Sequence, residues 1–268
     1  MAHRQDEGGF KQYGVVRSEN PSIGSAWAWS LYYLCIMLVQ GYAYAKGKYQ
    51  NYRLWQSIRA AVRRNKFWFV DVPRTSSSSL RSEISKEKGN IYGKQNLLDG
   101  SLAVSMGIPD HLPAQDARKL LGPTLWGEAF TFSVVRNPWD RFLSLYHYGI
   151  ISHTFPATLT FREFVSQLES PRYKLQQRLH RATPYYFSAC DYLEDENGNL
   201  MVDYVARYES RKRDIKTIGQ HIGIEDFGSV VTQEAAPDAH YSTFYDAYSR
   251  DVVGKNFKDD IERFGYSF

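Results

Sequence analysis

The stretch Phe67-Trp68-Phe69-Val70-Asp71-Val72-Pro73-Arg74-Thr75-Ser76-Ser77-Ser78-Ser79 decides the reading of this chain. Its first six residues are rich in aromatic and β-branched side chains, as a strand requires, and Pro73 stops the run. A helix is predicted from about Ser79 to Lys88, so the hydroxyl-rich turn lies between a strand and a helix start. Free N–H groups and the positive end of the helix dipole favour an anion at such a place. Thr75, Ser76, Ser77, Ser78 and Ser79 add hydroxyl donors, and Arg74 adds a forked cation suited to phosphate or sulfate. Serine-rich turns also occur as solvated loops with a good N-cap, and the turn alone leaves both readings open. It is not a Walker A loop, because the glycines and the closing Gly-Lys-Ser/Thr are missing.

A second strand–turn–helix unit follows. Phe130 to Val135 predicts a strand, and Asn137-Pro138 has the chemistry of a helix start, with Asn as N-cap, Pro at the first helical position and Asp140 in the first turn. The helix is predicted to run to about Tyr148. Arg136 stands just before it, again where an anion would sit, and Ser144 lies two turns along on the face looking back. Arg141 reads as a surface residue or a salt-bridge partner of Asp140.

Together the two units resemble the motifs that bind 3′-phosphoadenosine 5′-phosphosulfate (PAPS) in the sulfotransferase superfamily. Residues 73–79 resemble the 5′-phosphosulfate loop, written P-K-T-G/A-G/S-T-S/T, and Arg136 with Ser144 eight residues on resembles the 3′-phosphate motif. The wording Val135-Arg136-Asn137-Pro138-Trp139-Asp140-Arg141 is similar to the carbohydrate-type and bacterial branch. His111-Leu112-Pro113-Ala114 resembles an H-x-x-A segment of bacterial members, Val205-Ala206-Arg207-Tyr208-Glu209 a strand end, and Asp259 to Tyr266 the closing helix and tail. The similarity covers roughly residues 66–150 and 200–268. Arg74 replaces the usual lysine, and Ser76-Ser77 replace a glycine-type pair, which costs more if the turn needs a positive φ.

The resemblance implies an α/β fold of P-loop-like, three-layer type, with a mostly parallel central sheet flanked by helices. It also implies in-line sulfuryl transfer from PAPS, leaving PAP, to a hydroxyl of a small-molecule acceptor; tailoring of a bacterial natural product is one such role. Arg74 and Thr75 to Ser79 would stabilise the leaving phosphate and the sulfuryl oxygens, and Arg136 with Ser144 would anchor the 3′-phosphate. His111 is the candidate general base, with His147, His153 and Glu83 as rivals; a loop histidine capping the next helix is the alternative for His111. The chemistry requires no metal. A P-loop-like small-molecule kinase, or an inactive nucleotide-binding scaffold, are the competing functions.

The remaining sequence bounds these expectations. At 268 residues the chain suits one domain, read as an arm over 1–24 and a single domain over 25–268, with 26–64 and 150–200 as acceptor-side elements. The net charge of +4 suits an anionic ligand and falls short of the dense basic patch of a nucleic-acid binder. Cys35 and Cys190 have neither metal nor redox spacing, and no Asn-x-Ser/Thr acceptor occurs, which points to a cytoplasmic protein. Ala26 to Ala45 is an uncharged run of twenty residues, but Trp27, Trp29 and four tyrosines dilute it, so a buried or substrate-facing helix is expected rather than a membrane span. Further helices are predicted over 114–121, 160–168, 211–222 and 245–257, with a hairpin joining 186–193 to 200–208 through the turn 195–199. Nothing in the sequence signals an oligomeric state.

Overall fold

A computed structural model describes residues 55–88, 111–171, 187–228 and 239–268, all within one compact unit spanning 50–268. The expected arm and the 26–45 segment lie outside the described residues, as do parts of the expected acceptor-side elements.

Three parallel strands form the sheet, in the order β1 (Phe67–Val70), β2 (Phe130–Val135), β3 (Tyr204–Arg207). Phe67 pairs with Phe130 and Phe132 with Tyr204 at the two ladders' starts. Parallel strands covered on both faces carry apolar residues without interruption, and every residue of β1 is buried. Successive side chains go to opposite faces. Phe67, Phe69, Phe132, Val134 and Ala206 join one core cluster, while Trp68, Val70 and Val135 join another. The first is covered by α2 (Ser77–Lys88) and α8 (Arg211–Ile222) through Leu80, Ile84, Ile215 and Ile218. The second is covered by α1 (residues 55–65), α3 (Ala114–Leu121), α4 (Pro123–Glu128) and α7 (Ala189–Leu193). This is the expected α/β architecture with helices on both faces. The ring of Phe132 stacks on Phe69 at 5.1 Å, and losing such a buried ring costs about 3–5 kcal/mol.

A third cluster contains no strand residue. There α5 (Pro138–Ile151) packs on α6 (Phe161–Ser166), the 3₁₀ turn Gln167–Glu169 and α9 (Ala247–Asn256), with Phe142, Phe164 and Phe257 at its centre. The chain closes with α10 (Lys258–Phe264). Gly149 is required in α5: a Cβ there would come within 2.0 Å of the Phe155 ring. Among the described residues, no helix is long and apolar enough to cross a membrane.

The expected hairpin is corrected. Residues 189–193 are the helix α7, and only an antiparallel bridge from Glu194 to Leu200 remains of the pairing. Ser188 and Asp191 form a capping box at its start, and Asp260, far along the chain, accepts the N–H groups of Ala189 and Cys190 at 2.8 and 2.9 Å. Four N–H groups at a helix start need such partners, and these supply them.

Candidate active site

The turn after β1 lies at the carboxyl end of the sheet, where α/β folds bind ligands. Arg74 and Ser76 both have φ of 65°, the left-handed region, at a cost on the order of 1–2 kcal/mol each for residues other than glycine. The anticipated penalty for serine at the glycine-type position is therefore present. Two hydroxyls lock the turn: Thr75 donates to the carbonyl of Val72 (2.8 Å) and Ser79 to that of Ser76 (3.0 Å). With those protons committed, the N–H groups at the start of α2 and the hydroxyls of Ser76, Ser77 and Ser78 are the turn's donors toward an anion. The first turn of α2 contains no acidic residue to offset its positive end.

Arg74 carries its guanidinium onto α5. Its Nε and Nη2 donate to Ser144 Oγ at 3.3 and 3.0 Å, and its plane lies 4.4 Å from the Tyr148 ring centroid. Arg136 lies behind it, only 7% exposed, donating from Nη1 to the Arg74 carbonyl (3.2 Å) and from Nε and Nη2 to both oxygens of Asp140 (2.8 and 2.9 Å). Its plane covers Tyr208 at 4.1 Å. The structure thus brings Arg136, Arg74 and Ser144 together, with Arg74 between the other two. Asp140 serves Arg136, and the expected pairing with Arg141 does not occur. Arg141 is buried, donates to the Phe187 carbonyl, lies over Phe257 and stands close enough to Asp260 to oppose the upward push that burial gives that carboxyl.

The start of α5 is capped from within. Asn137 Oδ1 accepts from Trp139 N (3.1 Å), while Asn137 N donates to Glu209 Oε1 (2.6 Å). Tyr266 donates to the other Glu209 oxygen (3.2 Å). An anion reaching this end therefore meets side chains rather than these N–H groups.

His111 is 7% exposed and stands against the end of β1. Its Nδ1 lies 3.1 Å from the Asp71 carbonyl and 3.2 Å from Asp71 Oδ2, and Arg81 Nη1 lies 3.1 Å from that same carboxylate oxygen. Both groups facing Nδ1 are acceptors, so Nδ1 carries the hydrogen and Nε2 is the basic nitrogen of the neutral ring. Of the rivals, Glu83 holds Gly228 N with both oxygens (2.8 and 2.9 Å), and burial pushes its carboxyl above the usual value. It ties α2 to the segment that follows α8. His153 is exposed beyond α5. His147 lies on α5, one turn from Ser144, and burial holds its imidazole below the usual value.

Sequence reasoning did not single out Asp71, Arg211, Tyr148, Tyr208 or Glu209 as parts of this arrangement. Arg211 opens α8 and donates from Nη2 to Ser79 Oγ (2.8 Å), adding a third arginine to the turn. Asp71 stood in the quoted strand, and a carboxylate just before the turn was its available signal. Among the described residues no group of three or more His, Cys, Asp or Glu is placed to hold a metal ion. A cavity of about 330 Å³ between α1 and the α3–α4 junction is lined by Arg59, Arg63, Thr124 and Glu128 and contains none of the residues above.

Comparison with known proteins identifies the family. A family model described as "Sulfotransferase family" matches residues 114–267, more than half the chain, and the chain belongs to that family. It is an enzyme, a sulfotransferase, and the family implies PAPS as sulfuryl donor. The matched span includes Arg136 and Ser144 and begins after His111 and the turn 73–79. An uncharacterized protein from Archaeoglobus fulgidus is 28% identical over 134 residues, covering 47% of this chain and 95% of that protein.

Proposed function

We propose that the two strand–turn–helix units form one PAPS site and that the acceptor is a hydroxyl-bearing small molecule. The observation that carries this reading is the contact of Arg74 with Ser144, which joins the first unit to the second above the carboxyl end of the sheet. The residues present suit the donor: a helix start without acidic residues, three serines and three arginines match a molecule with anionic groups at both ends of its nucleoside.

Ser76, Ser77 and Ser78, with the N–H groups of α2, would hold the 5′-phosphosulfate, Thr75 and Ser79 keeping the turn in shape. Arg74 would neutralise charge on the leaving oxygen and the sulfuryl oxygens, and Arg211 would steady the turn through Ser79. Arg136 and Ser144 would hold the 3′-phosphate, Asp140 and Tyr208 fixing the plane of Arg136. When bound, PAPS supplies the sulfuryl group: a bond from sulfur to the acceptor oxygen forms as the bond to the 5′-phosphate oxygen breaks, and PAP departs. Positioning and electrostatic stabilisation carry most of such a transfer. His111 takes the acceptor's proton on Nε2, with Asp71 holding the ring and stabilising the imidazolium. A bacterial natural product is a fitting acceptor, and the setting we infer is the cytoplasm, in keeping with a buried unpaired Cys190 whose thiol burial drives upward.

Calorimetric titration with PAP tests this site. Wild-type binding that is lost in a folded Arg136→Ala variant supports it; a wild-type protein that does not bind PAP overturns it.

A further inference from the structure

The cavity between α1 and the α3–α4 junction stands apart from the candidate active site, and charged groups that the fold does not otherwise use line it. Arg59 and Arg63 lie one turn apart on α1, and both face this space. No hydrogen bond or ion pair joins either guanidinium to another described residue, and Arg59 Nε is buried without a hydrogen-bond partner. Other arginines find acids: Arg81 meets Asp71, Arg136 meets Asp140 and Arg263 meets Glu194. Glu128, also on the lining, is held instead by Lys66 at 3.1 Å. Like charges at i and i+4 repel along a helix, and a buried donor without an acceptor costs stability. An anion in the cavity relieves both.

The local backbone makes room for the guanidinium. Gly122 joins α3 to α4 at φ of 85°, and a Cβ on it would stand 3.3 Å from Arg59 Nη2. Thr124, two residues on, also lines the cavity, and its hydroxyl donates to no described residue. Leu121 and Leu125, both buried in the core beneath, give the space an apolar wall. Its volume of about 330 Å³ is at the small end of the range for organic ligands, about 300–1,000 Å³, and is more than a bare phosphate fills. Arg63 and Glu128 stand a few residues before β1 and β2, so the cavity lies toward the amino ends of these parallel strands. The turn 73–79 follows the carboxyl end of β1, where α/β folds hold their substrates. The cavity is therefore a separate place on the molecule.

We propose that this cavity is a second ligand site and that it takes a small phosphate monoester. Arg59, Arg63 and the Thr124 hydroxyl hold the phosphate, and Leu121 and Leu125 meet the organic body. A phosphate monoester carries close to two negative charges at neutral pH, which matches two unpaired guanidinium forks. A carboxylate brings one charge and leaves the second arginine uncompensated. This assignment stands independently of the PAPS-site reading, since the two share no residue.

Binding of phenyl phosphate to the full chain is measured by calorimetry with PAP in excess, for wild type, Arg59→Gln and Arg63→Ala. Inorganic phosphate and phenol serve as comparison ligands. The expected result is a phenyl phosphate Kd raised about tenfold or more in each variant, with PAP affinity unchanged. Inorganic phosphate and phenol should each bind wild type at least about tenfold more weakly than phenyl phosphate does. Arg63 is exposed, so its loss does not threaten the fold, and Arg63→Ala decides the matter where Arg59→Gln fails to fold. No binding of phenyl phosphate, an unchanged Kd in Arg63→Ala, or phenol bound as tightly each overturns the proposal. Inorganic phosphate bound as tightly overturns the monoester assignment, and weakened PAP binding in the variants overturns the separateness of the site. A wild-type protein that does not bind PAP overturns instead the PAPS-site reading, and the two arginine variants still decide this one.

Discussion

The guanidinium of Arg74 reaches from the turn after β1 to the hydroxyl of Ser144 on α5, at 3.0 Å from Nη2 and 3.3 Å from Nε. Residues seventy apart in sequence thereby join two helix-start units into one site. Lysine offers a point charge on a flexible stem, whereas arginine can hold Ser144 through a fork while lying on Tyr148. Arg74→Ala is expected to lower kcat by about 10²–10³, the usual cost of removing a donor aimed at developing charge. Arg74→Lys should recover part of that loss. In the protein without nucleotide, an Arg74→Ala/Ser144→Ala double-mutant cycle should show a coupling of about 0.5–1 kcal/mol in urea unfolding. A coupling of zero would mean that the contact carries no energy.

His111 is expected to act on turnover rather than on donor binding. His111→Ala should lose about 10²–10⁴ in kcat with PAP affinity unchanged. Asp71→Asn should lower kcat in the same direction by removing the negative charge 3.2 Å from Nδ1 that would stabilise the imidazolium, with KM for the acceptor nearly constant. Retained turnover in His111→Ala would move the base role to His147.

His147 makes a separate prediction in pH. Burial disfavours its charged form, so its folded pKa lies below the ordinary imidazole value. In the window between the folded and unfolded values the unfolded chain binds more protons, and stability falls as pH drops through the unfolded value. The His147 imidazole should titrate below the usual value by NMR, and His147→Gln should lose less stability than wild type between pH 7 and pH 5. A titration at or above the ordinary value would refute this.

Asp260 tests how α10 is fastened to α7. Its carboxyl is 2% exposed, accepts two backbone N–H groups, and is pushed upward by burial against the opposing influence of Arg141 and those N–H groups. Asp260→Ala leaves the buried N–H groups of Ala189 and Cys190 without an acceptor and should cost about 1–3 kcal/mol for each in chemical unfolding. Asp260→Asn keeps an acceptor without a charge to bury and should cost clearly less. Equal losses for the two variants would contradict this account.

Much of the scaffold was legible because its signals are local. The apolar runs 67–70 and 130–135 are strands, Asn137-Pro138 starts α5 as its composition predicts, and Ala114 to Leu121 is the predicted helix. The misreadings have distant causes. Residues 189–193 look strand-like alone, yet Asp260 accepts the N–H groups that a helix start exposes. Arg141 looks like a surface residue until Phe187, Phe257 and Asp260 enclose it. Likewise, nothing adjacent to Arg211 announces that it reaches Ser79. The arginines of both units could be named in advance, but which one Ser144 meets depends on how α5 crosses the turn.

A crystal structure of the PAP complex tests the central claim most directly. The account predicts the 5′-phosphate within hydrogen-bond distance of the Ser76, Ser77 and Ser78 N–H groups, and the 3′-phosphate at Arg136 and Ser144. Phosphates found elsewhere on the protein, or PAP density in the cavity lined by Arg59 and Arg63, would contradict it.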